Sequence, residues 1–135
     1  MSPKTVPCAK VVRAGRLRKA EQVLTVAAET LDLAGEQHDV GDAYATLCVT
    51  AGIAAADVIC CALLGKHAAG EDHREAVALL KQADKMAARH LDTLLGMKTK
   101  AAYTSTAVSA DDIKRAERAA VSLVESARQA HATAG

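Results

Sequence analysis

DAYATLCVTAGIAAADVICCALLG, residues 42–65, decides the fold. From Ala43 to Leu64 it is apolar almost all round, interrupted by Thr46, Thr50 and Asp57. A run of this length reaches the roughly 20 residues that cross a bilayer. Asp57 stands near its middle, however, and a central carboxylate costs about 2.5–3.5 kcal/mol on insertion scales. Much of the remainder is Ala, Gly, Thr and Cys, which insert weakly. A helix apolar on every side is also what occupies the centre of a soluble bundle. The run therefore fits a buried helix better than a membrane span, and no membrane association is expected.

The neighbouring segments supply its partners. Leu17, Ala20, Leu24, Ala27 and Leu31 recur at steps of three and four, which predicts a helix over about 10–33, with Gly35 as the residue that closes it. Gly65 and Gly70 bracket a short loop. Asp72 is a suitable N-cap for a third helix, whose inward face is Ala76, Leu79, Leu80 and Ala83. A break near Asp84 separates it from a helix carrying Ala87, Leu91, Leu94 and Leu95. Ser109-Ala-Asp-Asp112 has the spacing of a capping box and starts the last helix, with Ile113, Ala116, Ala120, Leu123, Val124 and Ala127 on one face. These segments predict one all-α domain over 10–130, an antiparallel helical bundle of four to five helices. A flexible basic N-terminus (1–9) and a frayed C-terminus (131–135) flank it.

Composition agrees. The chain has 135 residues, of which 31 are alanine, with no Phe or Trp and only Tyr44 and Tyr103 as aromatics. Both prolines, Pro3 and Pro7, precede the first predicted helix. Residues 1–20 carry six basic side chains and no acid. Such a cluster is either an arm for nucleic acid or an acidic partner, or a solvated helix start. Neither a longer basic stripe nor interleaved aromatics accompany it, which favours the solvated start. The first twenty residues also lack an apolar signal core, which predicts a cytoplasmic protein with reduced thiols. Cys48, Cys60 and Cys61 then read as small buried hydrophobes. His67 and His73 lie near Cys61, but the spacing matches no zinc pattern, and no metal or cofactor is expected. No glycine-rich phosphate loop, nucleophile elbow, HExxH motif or internal repeat is present.

The second half carries a composite pattern. A long apolar helix ends at a glycine (AGIAAADVICCALLG, 51–65), and a helix containing His follows (DHREAVALL, 72–80). A Leu-rich stretch then leads through lysines to Ala-x-Tyr (LDTLLGMKTKAAY, 91–103), before helix restarts at TAVSADDIKRAERAAVSLVESA, 106–127. Over about residues 40–130 this resembles the HEPN superfamily. The resemblance implies an antiparallel bundle that commonly dimerises. Catalytic members are metal-independent ribonucleases with an R-x4-6-H motif in a cleft at the dimer interface. Others bind nucleotides, nucleic acid or a nucleotidyltransferase partner without catalysis, often in toxin–antitoxin pairs.

Here the matching stretch reads Lys98-x4-Tyr103, with Lys100 as a second basic candidate and no Arg or His. Metal-free RNA cleavage needs a group that exchanges a proton near neutral pH, as His does. Tyr titrates at about 10 and Lys at about 10.4. Arg89 and His90 are adjacent and would point about 100° apart on a helix. HEPN-type ribonuclease activity is accordingly not expected. Lys98, Lys100 and Tyr103 instead offer a cationic face with a flat ring, suited to a phosphate and a base. The alternative is plain packing, with Tyr103 over the bundle and the lysines solvated. Asp57, in an apolar helix, calls for a partner among Lys98, Lys100, Arg89 and Tyr103. The expected function is a non-catalytic, HEPN-like homodimeric module, paired through its first two helices, that binds a nucleotide, RNA or a nucleotidyltransferase partner. A ribonuclease with a diverged site and a scaffold without ligand are the alternatives.

Overall fold

Alanine-rich segments free of proline form helix wherever the apolar spacing predicts it. The computed structural model describes residues 4–70 and 72–135. Its elements run β1 (Thr5–Pro7), α1 (Lys10–Leu33), a 3-10 turn (Gln37–Asp39), α2 (Gly41–Leu64), β2 (Lys66–Ala68), α3 (His73–Ala83), α4 (Lys85–Tyr103) and α5 (Ala110–Ala134). The fold is an all-α helical bundle of five helices with one small two-stranded ribbon.

α2 is the central helix. It packs against α1, α5 and α4, and Ala45, Cys48, Ala51, Ala55 and Val58 on it are fully buried. It is the one helix among the described residues long and apolar enough to cross a membrane, and its apolar sides are spent inside the bundle. With no Phe or Trp available, Ile59, Leu79, Leu80, Leu91, Leu94 and Leu123 supply the bulk of the core. Gly52 lets α2 come close to its neighbours: a Cβ built there stands 2.4 Å from Leu94 Cδ1 and 3.3 Å from Leu123 Cδ1. Side-chain pairs fix the directions. Arg16 meets Asp57 and Arg13 meets His131, so the start of α1 lies beside the ends of both α2 and α5. Tyr44 meets Glu117, placing the starts of α2 and α5 together.

Most of the apolar surface of α2 is covered within one chain, with Leu63 left exposed. The large apolar side chains left exposed on α1 are Val11, Val12, Val26 and Leu33.

The helix ends follow from local chemistry. Asp72 Oδ1 accepts from the Arg74 and Glu75 amides, and Asp84 Oδ1 from the Ala87 amide, so α4 starts directly after the break that ends α3. Ser109 and Asp112 form the reciprocal capping box that opens α5. Asp112 also accepts from Lys100 Nζ at 3.0 Å. The Ser109 backbone amide, then Lys100, hold the Asp112 carboxyl below its ordinary value of 3.8. A carboxyl lowered in the folded state stabilises it at pH above that ordinary value, and the contribution is lost as pH falls through the lowered one. Asp112→Ala is expected to cost about 1 kcal/mol at neutral pH. The gap between its urea midpoint and that of the wild type should narrow as pH falls below that ordinary value.

Four expectations fail here. The N-terminal segment is not a free tail: Thr5–Pro7 pairs antiparallel with Lys66–Ala68, the loop after α2 (residues 1–3 lie outside the described residues). Cys8 and Cys61 form a disulfide with Cα atoms 5.8 Å apart, so Cys61 is not a buried thiol. The expectation that all four thiols are reduced fails with it. The C-terminus is not frayed from residue 131: α5 continues to Ala134, and His131 accepts a hydrogen bond from Arg13. Gly35 does not close α1 in a left-handed conformation. Ala34 caps it in extended backbone, and the left-handed cap belongs to Gly65 after α2, at φ 74°.

Candidate functional site

A cavity of about 410 Å³ opens where α2, the β2 turn, α3 and α4 meet. α2 contributes Asp57 and Cys60, the turn Ala68 and Gly70, α3 His73, and α4 Lys98 and Tyr103. Three of the four residues singled out in the sequence therefore converge on one space. Lys100 does not. Its ammonium is committed to Asp112 at the start of α5, where it braces the capping box.

Asp57 is paired, but not with any of the expected partners. Its Oδ2 accepts from Arg16 Nη2 at 2.9 Å and Nε at 3.1 Å. Lys98, Lys100, Arg89 and Tyr103 take no part. The reason is topological: α1 and α2 form an antiparallel hairpin, and Asp57 lies level with the first turns of α1. Burial pushes the Asp57 carboxyl above the ordinary carboxylate range, and the Arg16 guanidinium followed by His67 pulls it back. Arg16 thus opposes the effect of burial on the Asp57 carboxyl at the cavity wall.

Lys98 Nζ stands 2.7 Å from His73 Nε2, within hydrogen-bond distance. Among the described residues Lys98 has no carboxylate partner. Its side chain therefore lines the cavity with no carboxylate paired to it. Tyr103 ends α4 and is 74% exposed, with its ring at the cavity rim. It does not pack over the bundle. That structural part belongs to Tyr44, which is 3% exposed with its hydroxyl 3.5 Å from Glu117 Oε2. Burial, then Cys48 and Glu117, raise the Tyr44 hydroxyl well above its ordinary range.

Cys60 lines the cavity as a free thiol, and burial followed by the charge of Asp57 pushes it up to about 12. It stays protonated at neutral pH and is not a nucleophile. Cys48, the other free thiol, is fully buried and pushed up to about 11 by burial. Among the described residues no group of three or more His, Cys, Asp or Glu side chains could hold a metal ion.

Two of the six cations in the basic N-terminal cluster turn inward, while Lys4, Lys10, Arg18 and Lys19 are exposed. Arg16 holds Asp57, and Arg13 is 8% exposed, its Nε donating to His131 Nδ1 at 2.8 Å. Arg13 and Arg16 are one helical turn apart on the side of α1 that also buries Ala20. That spacing was the available signal that two of the six cations point inward. His73 was visible only as a helix residue, since nothing local announces its meeting with Lys98, 25 positions away. No protein-family model, curated protein or solved structure matches this chain.

Proposed function

We propose that the chain is a non-catalytic, HEPN-like binding module whose cavity takes a nucleotide. One observation carries this reading: Lys98, with no carboxylate partner among the described residues, shares a cavity of about 410 Å³ with the exposed ring of Tyr103. A cation meets a phosphate as a point charge, and an exposed aromatic ring offers a stacking face to a base. Leu91 and Ala76 add apolar lining to the cavity. Asp57 adds an acceptor for a sugar hydroxyl or an exocyclic amine while Arg16 neutralises its charge.

Calorimetric titration with adenosine 5′-monophosphate at low salt tests this. Binding is expected in the wild type. Lys98→Ala should lose about tenfold to a hundredfold in affinity, the worth of a charge-assisted hydrogen bond. Inorganic phosphate should compete weakly and adenosine more weakly still. Equal affinity in wild type and Lys98→Ala would overturn the assignment.

A second reading is favoured by His73. The sequence showed no proton-transfer group beside the lysines, yet this imidazole stands 2.7 Å from Lys98. Imidazole is the side chain that accepts and returns a proton near neutral pH. A diverged metal-independent ribonuclease would use that pair. Its signature is RNA degradation that persists in EDTA and falls at least a hundredfold in His73→Ala. No degradation above buffer by the wild type discards this reading and leaves nucleotide binding in place.

A further inference from the structure

One wall of the cavity is not a helix face. Ala68 and Gly70 form it, and they belong to the strand and turn that follow α2. β2 has three residues, and its one strand partner is β1, also three residues long. A lone two-stranded ribbon is marginal in water, and Pro7 in β1 has no amide to donate. Besides the packing of β2 on α2 and α3, where Ala68 meets the core, three further links fasten it: Cys8 to Cys61 through the disulfide, the Cys8 amide to the Gly65 carbonyl at 3.2 Å, and the Ala69 amide to the Lys4 carbonyl at 3.0 Å. Only the first is covalent, and it joins β1 to the last turn of α2, next to Cys60 on the cavity wall. The disulfide therefore stands at the joint between the helical wall and the strand wall.

Its two residues differ in burial. Cys61 is 4% exposed, while Cys8 is half-buried between the exposed residues Pro7 and Ala9. Cys8 is therefore the more open side for an incoming thiolate. The two free thiols, Cys48 and Cys60, are buried and do not compete for the exchange.

We propose that Cys8–Cys61 is a redox latch on the ligand cavity, opened by a dithiol reductant. This rests on the cavity being the binding site. In the exchange, one thiolate of the dithiol attacks Cys8 Sγ, and the S–S bond breaks with its electron pair leaving on Cys61 Sγ, which takes up a proton. The second thiol of the reductant attacks its own sulfur in the mixed disulfide and expels Cys8, which is protonated in turn. The dithiol ends as a disulfide, and the protein gains two electrons and two protons. β1 is then held by backbone bonds alone, and residues 66–70 swing away from Asp57 and Lys98. The packing among α1, α2, α4 and α5 does not include this link, so the bundle persists.

Hydrogen exchange read by mass spectrometry on the whole ligand-free chain, oxidised and after dithiothreitol, tests the latch. Alkylation confirms that Cys8 and Cys61 are both reduced. Residues 65–70 are expected to exchange at least tenfold faster on reduction than any acceleration shared with α2 and α5 accounts for. Affinity for adenosine 5′-monophosphate should fall at least tenfold and recover on reoxidation. Cys8→Ser should match the reduced chain with or without dithiothreitol. Unchanged exchange at 65–70 after full reduction would overturn the latch. Acceleration at 65–70 no greater than that of α2 and α5 would also overturn it, since the disulfide would then act only as a staple for the whole fold. If 65–70 loosens but neither form binds the nucleotide, the latch stands and the nucleotide reading falls.

Discussion

Leu94→Ala should lower the unfolding free energy by about 4 kcal/mol, near the upper part of the range for fully buried leucines. Leu94 is 0% exposed and sits on α4 against the centre of α2. Its Cδ1 occupies the space that Gly52 leaves open, where even a Cβ would come within 2.4 Å. Truncation therefore empties a site walled by the α2 backbone at Gly52 and by Leu123. The backbone wall cannot swing inward, so only part of the void is recovered. Urea denaturation with a fitted slope checks this. A loss below about 1 kcal/mol would mean that the helices close on the gap, and that α2 and α4 are not held at a fixed distance.

Cys8→Ser should be the other large loss, up to about 4 kcal/mol by the chain-entropy account of a crosslink. The disulfide joins positions 53 residues apart, a loop that takes in all of α1 and most of α2. Reduction frees that loop in the unfolded chain. It also frees β1 in the folded chain, which offsets part of the loss. Differential scanning calorimetry should show a lower Tm for Cys8→Ser, and wild type in dithiothreitol should reproduce it. A Tm that does not move would mean that the loop is already constrained when unfolded.

The helices were legible because their signals are local. The apolar stripe of α1, the Asp72 cap, the break at Asp84 and the Ser109–Asp112 box each lie within a few residues, and each appears where the spacing puts it. The ribbon was not legible, because three-residue strands are shorter than any alternation that could announce them. The disulfide was hidden for a related reason: Cys61 looks like one more small apolar residue in an apolar helix, and only the return of the chain brings Cys8 to it. Asp57 was recognisable as a residue that needs a partner. Counting back across the turn between α1 and α2 would have placed it near the start of α1, where Arg16 waits. The site was read in part. Lys98 and Tyr103 flank the cavity as a cationic face with a ring, while Lys100, two residues from Lys98, points to Asp112 instead.

The central claim is that Asp57, Lys98 and Tyr103 serve one ligand site. Amide chemical-shift mapping of the oxidised chain with adenosine 5′-monophosphate tests it most directly. Saturable shifts are expected at Lys98, Tyr103, His73, Ala68 and Gly70, all on the cavity. Shifts confined to the first turns of α1, or none at millimolar nucleotide, would contradict it.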